Sequence, residues 1–290
     1  MSEKTRKPRR RFRWWLIPLI VIGLAVATIV ALVLSWRARE AASNRPATLP
    51  PPPPTAEAGL TGLYQTGFDD PASPDWELFD DGRISARITD GRLIVGVNAM
   101  QDTGAWSGLN YTFGDFLLHV EATKLDGPDN NAMIVVFRLT DTQNYNRFDV
   151  SSDGYYRLSA VRNGVSTIIS DWGASPAILT GDSVNRLAVW ASGGTFRFWV
   201  NGTPLPLCIT TDPASQPIWD PTAAEPTCLG GQVVMQWQNA DLPQGKIGLG
   251  AQGYTGYDGE QTTPAFTSIG FDNLLIEVAP PPEALEGLQP

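Results

Sequence analysis

An all-β sandwich preceded by one transmembrane helix is the fold this sequence predicts. Three observations carry the prediction. Short runs of alternating apolar and polar residues recur about every ten residues from residue 60 onward. Turn dipeptides such as Asp90-Gly91 and Asn163-Gly164 separate them. Ahead of these runs, residues 14–36 contain no charged side chain. No amphipathic period of about 3.6 residues interrupts the alternation.

The uncharged run from Trp14 to Trp36 rises about 1.5 Å per residue as a helix, which matches a hydrocarbon core of roughly 30 Å. A secretory signal has an apolar stretch of only about 7 to 15 residues. The run therefore reads as an uncleaved signal anchor. The rival is a cleaved signal, since the small residues Ala38, Ala41 and Ala42 follow it. Lys4, Arg6, Lys7, Arg9, Arg10, Arg11 and Arg13 precede the span against a lone Glu3. By the positive-inside rule the basic tail 1–13 is cytoplasmic and everything beyond the span is extracytoplasmic. Residues 37–59, with Pro50 to Pro54 consecutive, form an extended proline-rich stalk. A single-pass membrane protein is the expectation.

Charge divides along the same line. Of 21 Lys+Arg and 30 Asp+Glu, 10 and 2 respectively precede Glu57, which leaves 11 basic and 28 acidic residues beyond it. An exported part with a formal charge of −17 repels phosphate backbones, so nucleic acid is not an expected partner. Cys208 and Cys228 are the only cysteines, both beyond the span, and an oxidising compartment permits them to pair. Closing a loop of about 20 residues contributes on the order of 3 kcal/mol.

Residues 60–279 make one domain of about 220 residues, a size that a sandwich holds without splitting. A low-complexity tail, 280–290, follows and is expected to be disordered. Within the domain, Ile84–Ile88 and Leu93–Val97 flank Asp90-Gly91, and Tyr156–Arg162 and Val165–Ile169 flank Asn163-Gly164. Arg186–Ser192 and Thr195–Asn201 turn at Gly193-Gly194. Further strands are expected at Phe116–Leu125, Ala132–Leu139, Tyr145–Ser151, Lys246–Gln252 and Phe266–Val278. Pro204–Leu242 is less regular and reads as an elaborated loop holding the cysteines.

Alternation assigns faces. Pairing Arg138 with Tyr145 turns Met133, Val135, Phe137, Asn146, Phe148 and Val150 toward the core. The opposite face then carries Arg138, Tyr145, Arg147, Asp149, Tyr155, Arg157 and Ser159 over an apolar floor of Ile134, Val136 and Ile168. Planar groups that stack on sugar rings and polar forks that address hydroxyl pairs are what a carbohydrate site needs. Arg138, Tyr145, Arg147, Asp149, Tyr155 and Arg157 are the candidate ligand-binding residues. The alternative is a solvated face on which Arg147 and Arg157 pair with Asp149.

A second face carries Trp190, Arg197 and Trp199, a candidate cation–π platform for a protein partner unless the 204–242 loop covers it. Catalytic candidates are few. His119 and Glu121 lie two residues apart on one strand face, and Asp149 is the remaining acid. No G-x-S-x-G elbow is present, and no E-x-D or E-x-E pair, the spacing along one strand that a retaining glycosidase would use, occurs. Asp69 and Asp272, from the first and last strands, are candidate ligands for Ca²⁺.

The order of several segments resembles a known group. It runs through Asp115-Phe116-Leu117-Leu118, Tyr145-Asn146-Arg147-Phe148, Asp153-Gly154-Tyr155-Tyr156-Arg157-Leu158, Phe198-Trp199-Val200-Asn201-Gly202, Gly245-Lys246-Ile247-Gly248-Leu249 and Phe271-Asp272-Asn273-Leu274. The set resembles the concanavalin A-like lectin/glucanase sandwiches, nearest to the laminin-G-like bacterial domains called 3-keto-disaccharide hydrolase. That resemblance implies a two-sheet jelly roll in a superfamily of glycan and protein binders. The glucanases' E-x-D-x-x-E motif is missing here. The expectation is a surface-tethered carbohydrate-binding module, with a glycoside hydrolase or a protein-binding adaptor as alternatives.

Overall fold

The computed structural model describes residues 62–99, 104–210, 226–254 and 265–287, together with 212, 215–220 and 222–223. The expected cytoplasmic tail, membrane span and stalk lie outside the described residues. Among the described residues no helix is long and apolar enough to cross a membrane.

Ten strands occupy the first part of the described chain. They are β1 (Gly62–Thr66), β2 (Phe79–Asp80), β3 (Ile84–Thr89), β4 (Arg92–Ala99), β5 (Gly104–Gly108), β6 (Phe116–Asp126), β7 (Asn131–Asp141), β8 (Asn144–Val150), β9 (Tyr155–Arg162) and β10 (Val165–Ala174). The rest are β11 (Asn185–Ser192), β12 (Thr195–Val200), β13 (Thr203–Pro204), β14 (Leu207–Thr210), β15 (Ile218–Trp219), β16 (Cys228–Leu229), β17 (Gly231–Val234), β18 (Trp237–Gln238), β19 (Lys246–Gly253) and β20 (Ala265–Glu277). A short 3-10 helix, Pro282–Gly287, follows.

These strands form two antiparallel sheets. The large sheet runs β13-β12-β11-β6-β20-β4-β3-β2, with β1 also on β20 and β18 on β12. The second runs β10-β9-β8-β7-β19-β5. The 204–242 stretch is more ordered than a loop: it adds the ladders β14–β17 and β15–β16, and Cys208 and Cys228 are joined by a disulfide.

The hairpins form where the turn dipeptides place them. Asp90 (φ 53°) with Gly91 (φ 68°), and Asn163 (φ 51°) with Gly164 (φ 77°), supply the two successive positive φ values of a type I′ turn, whose twist matches the flanking strands. Register follows, with Thr89 opposite Arg92 and Arg162 opposite Val165. Inward residues of both sheets then make one core. Phe137 packs at 5.3 Å from Phe196, and Phe148 at 5.0 Å from Phe198, ring centre to ring centre, which locks β7 and β8 against β12.

One departure from alternation matters. The register of β7 on β8 shifts between Phe137 and Asp141, and Arg138 sits there at φ 54°. Arg138 is therefore opposite no residue of β8, and its side chain is fully buried. Its guanidinium donates to the carbonyls of Phe113, Gly114 and Gly193 and lies 3.4 Å from Asp115 Oδ1. It pins the loop before β6 to the β11–β12 turn, and it does not belong to the ligand face on which alternation put it. Across from the bulge, a Cβ on Gly245 would lie 2.3 Å from the Arg138 carbonyl carbon and 2.6 Å from the Leu139 nitrogen. Both are backbone atoms and cannot swing away. Gly245→Ala is expected to cost about 2 kcal/mol, read as a lower midpoint in denaturant at unchanged slope.

Candidate functional site

The outer face of the second sheet holds a groove of about 420 Å³. Trp106, Tyr145, Val161 and Ile168 are its apolar lining, and beside it Ala132, Ile134, Val136 and Leu139 of β7 pack under Trp106, Tyr145, Trp172 and Tyr254. Trp106 of β5 and Tyr145 of β8 meet at 5.0 Å on one side. Trp172 of β10 and Tyr254, just after β19, meet edge to face at 5.9 Å on the other.

Trp106 can lie down over β19 because that strand presents glycine there. A Cβ at Gly248 would come within 2.9 Å of Trp106 Cδ1, and one at Gly250 within 2.8 Å of its Cβ. The alternation Gly248, Gly250, Gln252 thus clears a flat bed on the same face as the arginines.

Between the aromatic walls lies a charged centre. Asp149 of β8 is opposite Arg157 of β9 and two residues from Arg147. Its Oδ1 accepts from Arg147 Nε, and its Oδ2 from Arg157 Nη2 at 2.9 Å. Asp149 is 0% exposed, Arg147 12% and Arg157 17%. Arg147 Nη2 donates to Gln252 Oε1, and Arg157 Nη2 to the Tyr254 hydroxyl at 2.9 Å. Arg157 also stacks over Trp172, 4.6 Å from the ring centre. Burial works against the Arg147 charge, but Asp149, Tyr254 and Tyr145 outweigh it and raise its pKa above the ordinary guanidinium range. Burial likewise raises the Tyr145 phenol, with Arg147 opposing and Asp149 adding to it, so that phenol stays protonated at neutral pH.

The structure thus brings together Tyr145, Arg147, Asp149 and Arg157 of the candidate ligand residues. Tyr155 begins β9 on the same face but is exposed and lies outside the groove. Arg138 is elsewhere, as described above. Trp106, Trp172, Gln252 and Tyr254 are site residues that sequence reasoning missed.

The other candidates fare differently. Trp190 and Trp199 face away from the core as alternation requires, yet they are 2% and 6% exposed. The C-terminal segment covers them: the Trp190 indole donates to the Pro280 carbonyl at 2.9 Å, and Leu285 packs into the same cluster. Arg197 stacks on Trp190 at 5.6 Å and is held by Gln236. This is an intramolecular contact rather than an open platform, and the stretch from 280 to 285, expected as tail, is its cover.

His119 and Glu121 do not pair. Glu121 accepts from Arg186 and Asn273, and these hydrogen bonds lower its pKa against the cost of burial. Asp149, with both oxygens engaged by arginines, is not placed to move a proton. Asp69 lines an open hollow of about 650 Å³ with Asp70 and Asp75, whereas Asp272 sits in the β20 bulge accepting from the Asn273 N–H. No three His, Cys, Asp or Glu side chains are grouped as a cation site among the described residues.

His119 has a consequence for stability. Burial lowers its pKa from the ordinary 6.5, Glu277 opposing and Arg186 adding to the shift. The unfolded chain therefore takes up a proton near pH 6.5 that the folded domain resists. This contribution is whole above about pH 6.5 and is lost as pH falls through the folded value. His119→Gln is expected to flatten the decline in melting temperature below about pH 6.5. A decline as steep as in the parent chain would show that other groups set it.

No protein-family model matches this chain, and no curated protein matches it. Among solved structures, it is similar to the carbohydrate-binding module CBM66 from Bacillus subtilis, at 16% identity over 70% of this chain and 95% of that one, with a TM-score of 0.44. A protein of unknown function with a galectin-like fold, also from Bacillus subtilis, gives 13% identity over 75% and 96%, with a TM-score of 0.48. A prokaryotic β-1,3-1,4-glucanase (lichenase) derived from a mouse hindgut metagenome gives 14% over 74% and 98%, with a TM-score of 0.45. The sheets themselves make the domain a two-sheet antiparallel β-sandwich.

Proposed function

We propose that the chain is a membrane-tethered extracytoplasmic module that binds carbohydrate in the groove across β5, β19, β7, β8, β9 and β10. One observation carries the reading: a groove lined by the Trp106–Tyr145 aromatic pair beside a fixed arginine centre. Sugar rings present flat C–H faces to indole and phenol planes, and their oxygens accept from guanidinium forks. Because Asp149 holds both arginines, the polar groups are set before a ligand arrives, which lowers the ordering cost of binding. The tether rests on the uncharged run 14–36 and the basic residues ahead of it.

The adaptor reading loses support, because the tryptophans it needs lie under Pro280 and Leu285. A hydrolase reading finds no unengaged acid in the groove among the described residues. The test is a glycan array probed with the full-length chain, in a detergent without a sugar headgroup, beside Trp106→Ala. Binding that drops at least about tenfold in the variant supports the assignment. Binding by neither protein, or equal binding by both, counts against it.

A further inference from the structure

The carboxylate and amide acceptors at the centre of the groove are taken. Both Asp149 oxygens are occupied by Arg147 and Arg157, and Gln252 Oε1 by Arg147. Donors remain. Arg147 Nη1 and Arg157 Nη1 have no hydrogen-bond partner among the described residues, and neither is among the sealed polar atoms that lack one. Both are therefore open to the groove. Among the described residues its lining contains these two arginines and no Asp or Glu, in an exported part where acids outnumber bases 28 to 11. Two guanidinium groups against one buried carboxylate leave a net positive centre that cannot deprotonate at physiological pH.

A neutral sugar hydroxyl meets the two guanidinium donors without charge assistance, whereas an anion meets them with it. A carboxylate only accepts. We infer that the groove selects a saccharide carrying a carboxylate, a uronic acid or similar acidic sugar, whose anion lies against Arg147 and Arg157 while its ring packs on the aromatic wall. This rests on the carbohydrate reading above and narrows it. The acidic surface around the groove disfavours a densely charged polymer at long range, so an isolated acidic residue in a largely neutral glycan fits better than a polyuronate.

The test is an array printed in matched pairs, each uronate-containing oligosaccharide beside its carboxyl-reduced counterpart, probed with the full-length chain. The acidic member is expected to bind about tenfold or more tightly, because charge-assisted hydrogen bonds are lost on reduction. Free glucuronate should compete where glucose does not, a readout that needs no variant. Arg157→Gln is expected to erase the preference while leaving weak binding to the neutral member. Equal binding of both members, or a response confined to sulfated glycans without uronate, would overturn the inference and leave the carbohydrate reading standing. Silence across every pair would overturn both.

Discussion

Asp149→Ala is expected to destabilise the domain by about 3–5 kcal/mol and to abolish glycan binding. The side chain has no exposure, and it alone compensates two guanidinium groups that are themselves nearly buried. Removing one partner of a buried ion pair leaves charge without compensation, which costs far more than the intact arrangement contributes. At roughly 2–4 °C per kcal/mol for a domain this size, the melting temperature should fall by about 6–20 °C. Glu121→Ala is the matched control. It breaks an ion pair to Arg186 on the exposed part of the large sheet, where the expected loss is under about 1 kcal/mol. Thermal unfolding of the two variants side by side measures the difference. Losses of equal size would mean that the Arg147–Asp149–Arg157 centre does not organise its sheet.

Opening the disulfide by the pair of changes Cys208→Ala and Cys228→Ala is expected to cost on the order of 3 kcal/mol, because the bond closes a loop of about 20 residues. The bond holds β14 to β16, and through them the two small ladders of the 204–242 insertion. That insertion leans on the sandwich at defined points. The Tyr156 hydroxyl donates to the Pro206 carbonyl, and Trp219 lies so close to Gly173 that a Cβ there would meet its Nε1 at 2.5 Å. Gly173 adjoins Trp172 in β10, the strand that forms one wall of the groove. The loss should therefore appear first as protease cleavage within 204–242, and next as weaker ligand binding. A variant as resistant to protease as the parent would show that the ladders hold without the covalent link.

The fold was legible wherever local chemistry sets geometry. Asp90-Gly91 and Asn163-Gly164 announce both a turn and its register, so the faces of β3, β4, β9 and β10 near those turns follow by counting twos. The same counting recovered Tyr145, Arg147, Asp149 and Arg157 as neighbours. It failed at Arg138, because alternation assumes an unbroken ladder and a bulge there turns the side chain inward. The one hint lies more than a hundred residues away, in a glycine at 245 that the bulge requires. For Trp190 and Trp199 the face was right and the exposure wrong: period 2 says which way a side chain points, and not that Pro280 and Leu285 return to cover it. Trp106 and Tyr254 were missed because β19 pairing with both β5 and β7 brings distant segments to one face, and Trp172 because the register of β10 on β9 shifts twice between Ile168 and Gly173. The spacing of Gly248, Gly250 and Gln252 was the available signal, a strand side stripped of bulk where something broad must lie.

The central claim is that this groove, and no other surface, receives the ligand. Tryptophan fluorescence of the full-length chain, titrated with array-selected oligosaccharide, tests it most directly when Trp106→Phe and Trp199→Phe are compared with the parent. The account predicts a saturable change that shrinks sharply in Trp106→Phe and persists in Trp199→Phe, since Trp199 lies under the C-terminal segment on the opposite sheet. A change that persists in Trp106→Phe and vanishes in Trp199→Phe would contradict it.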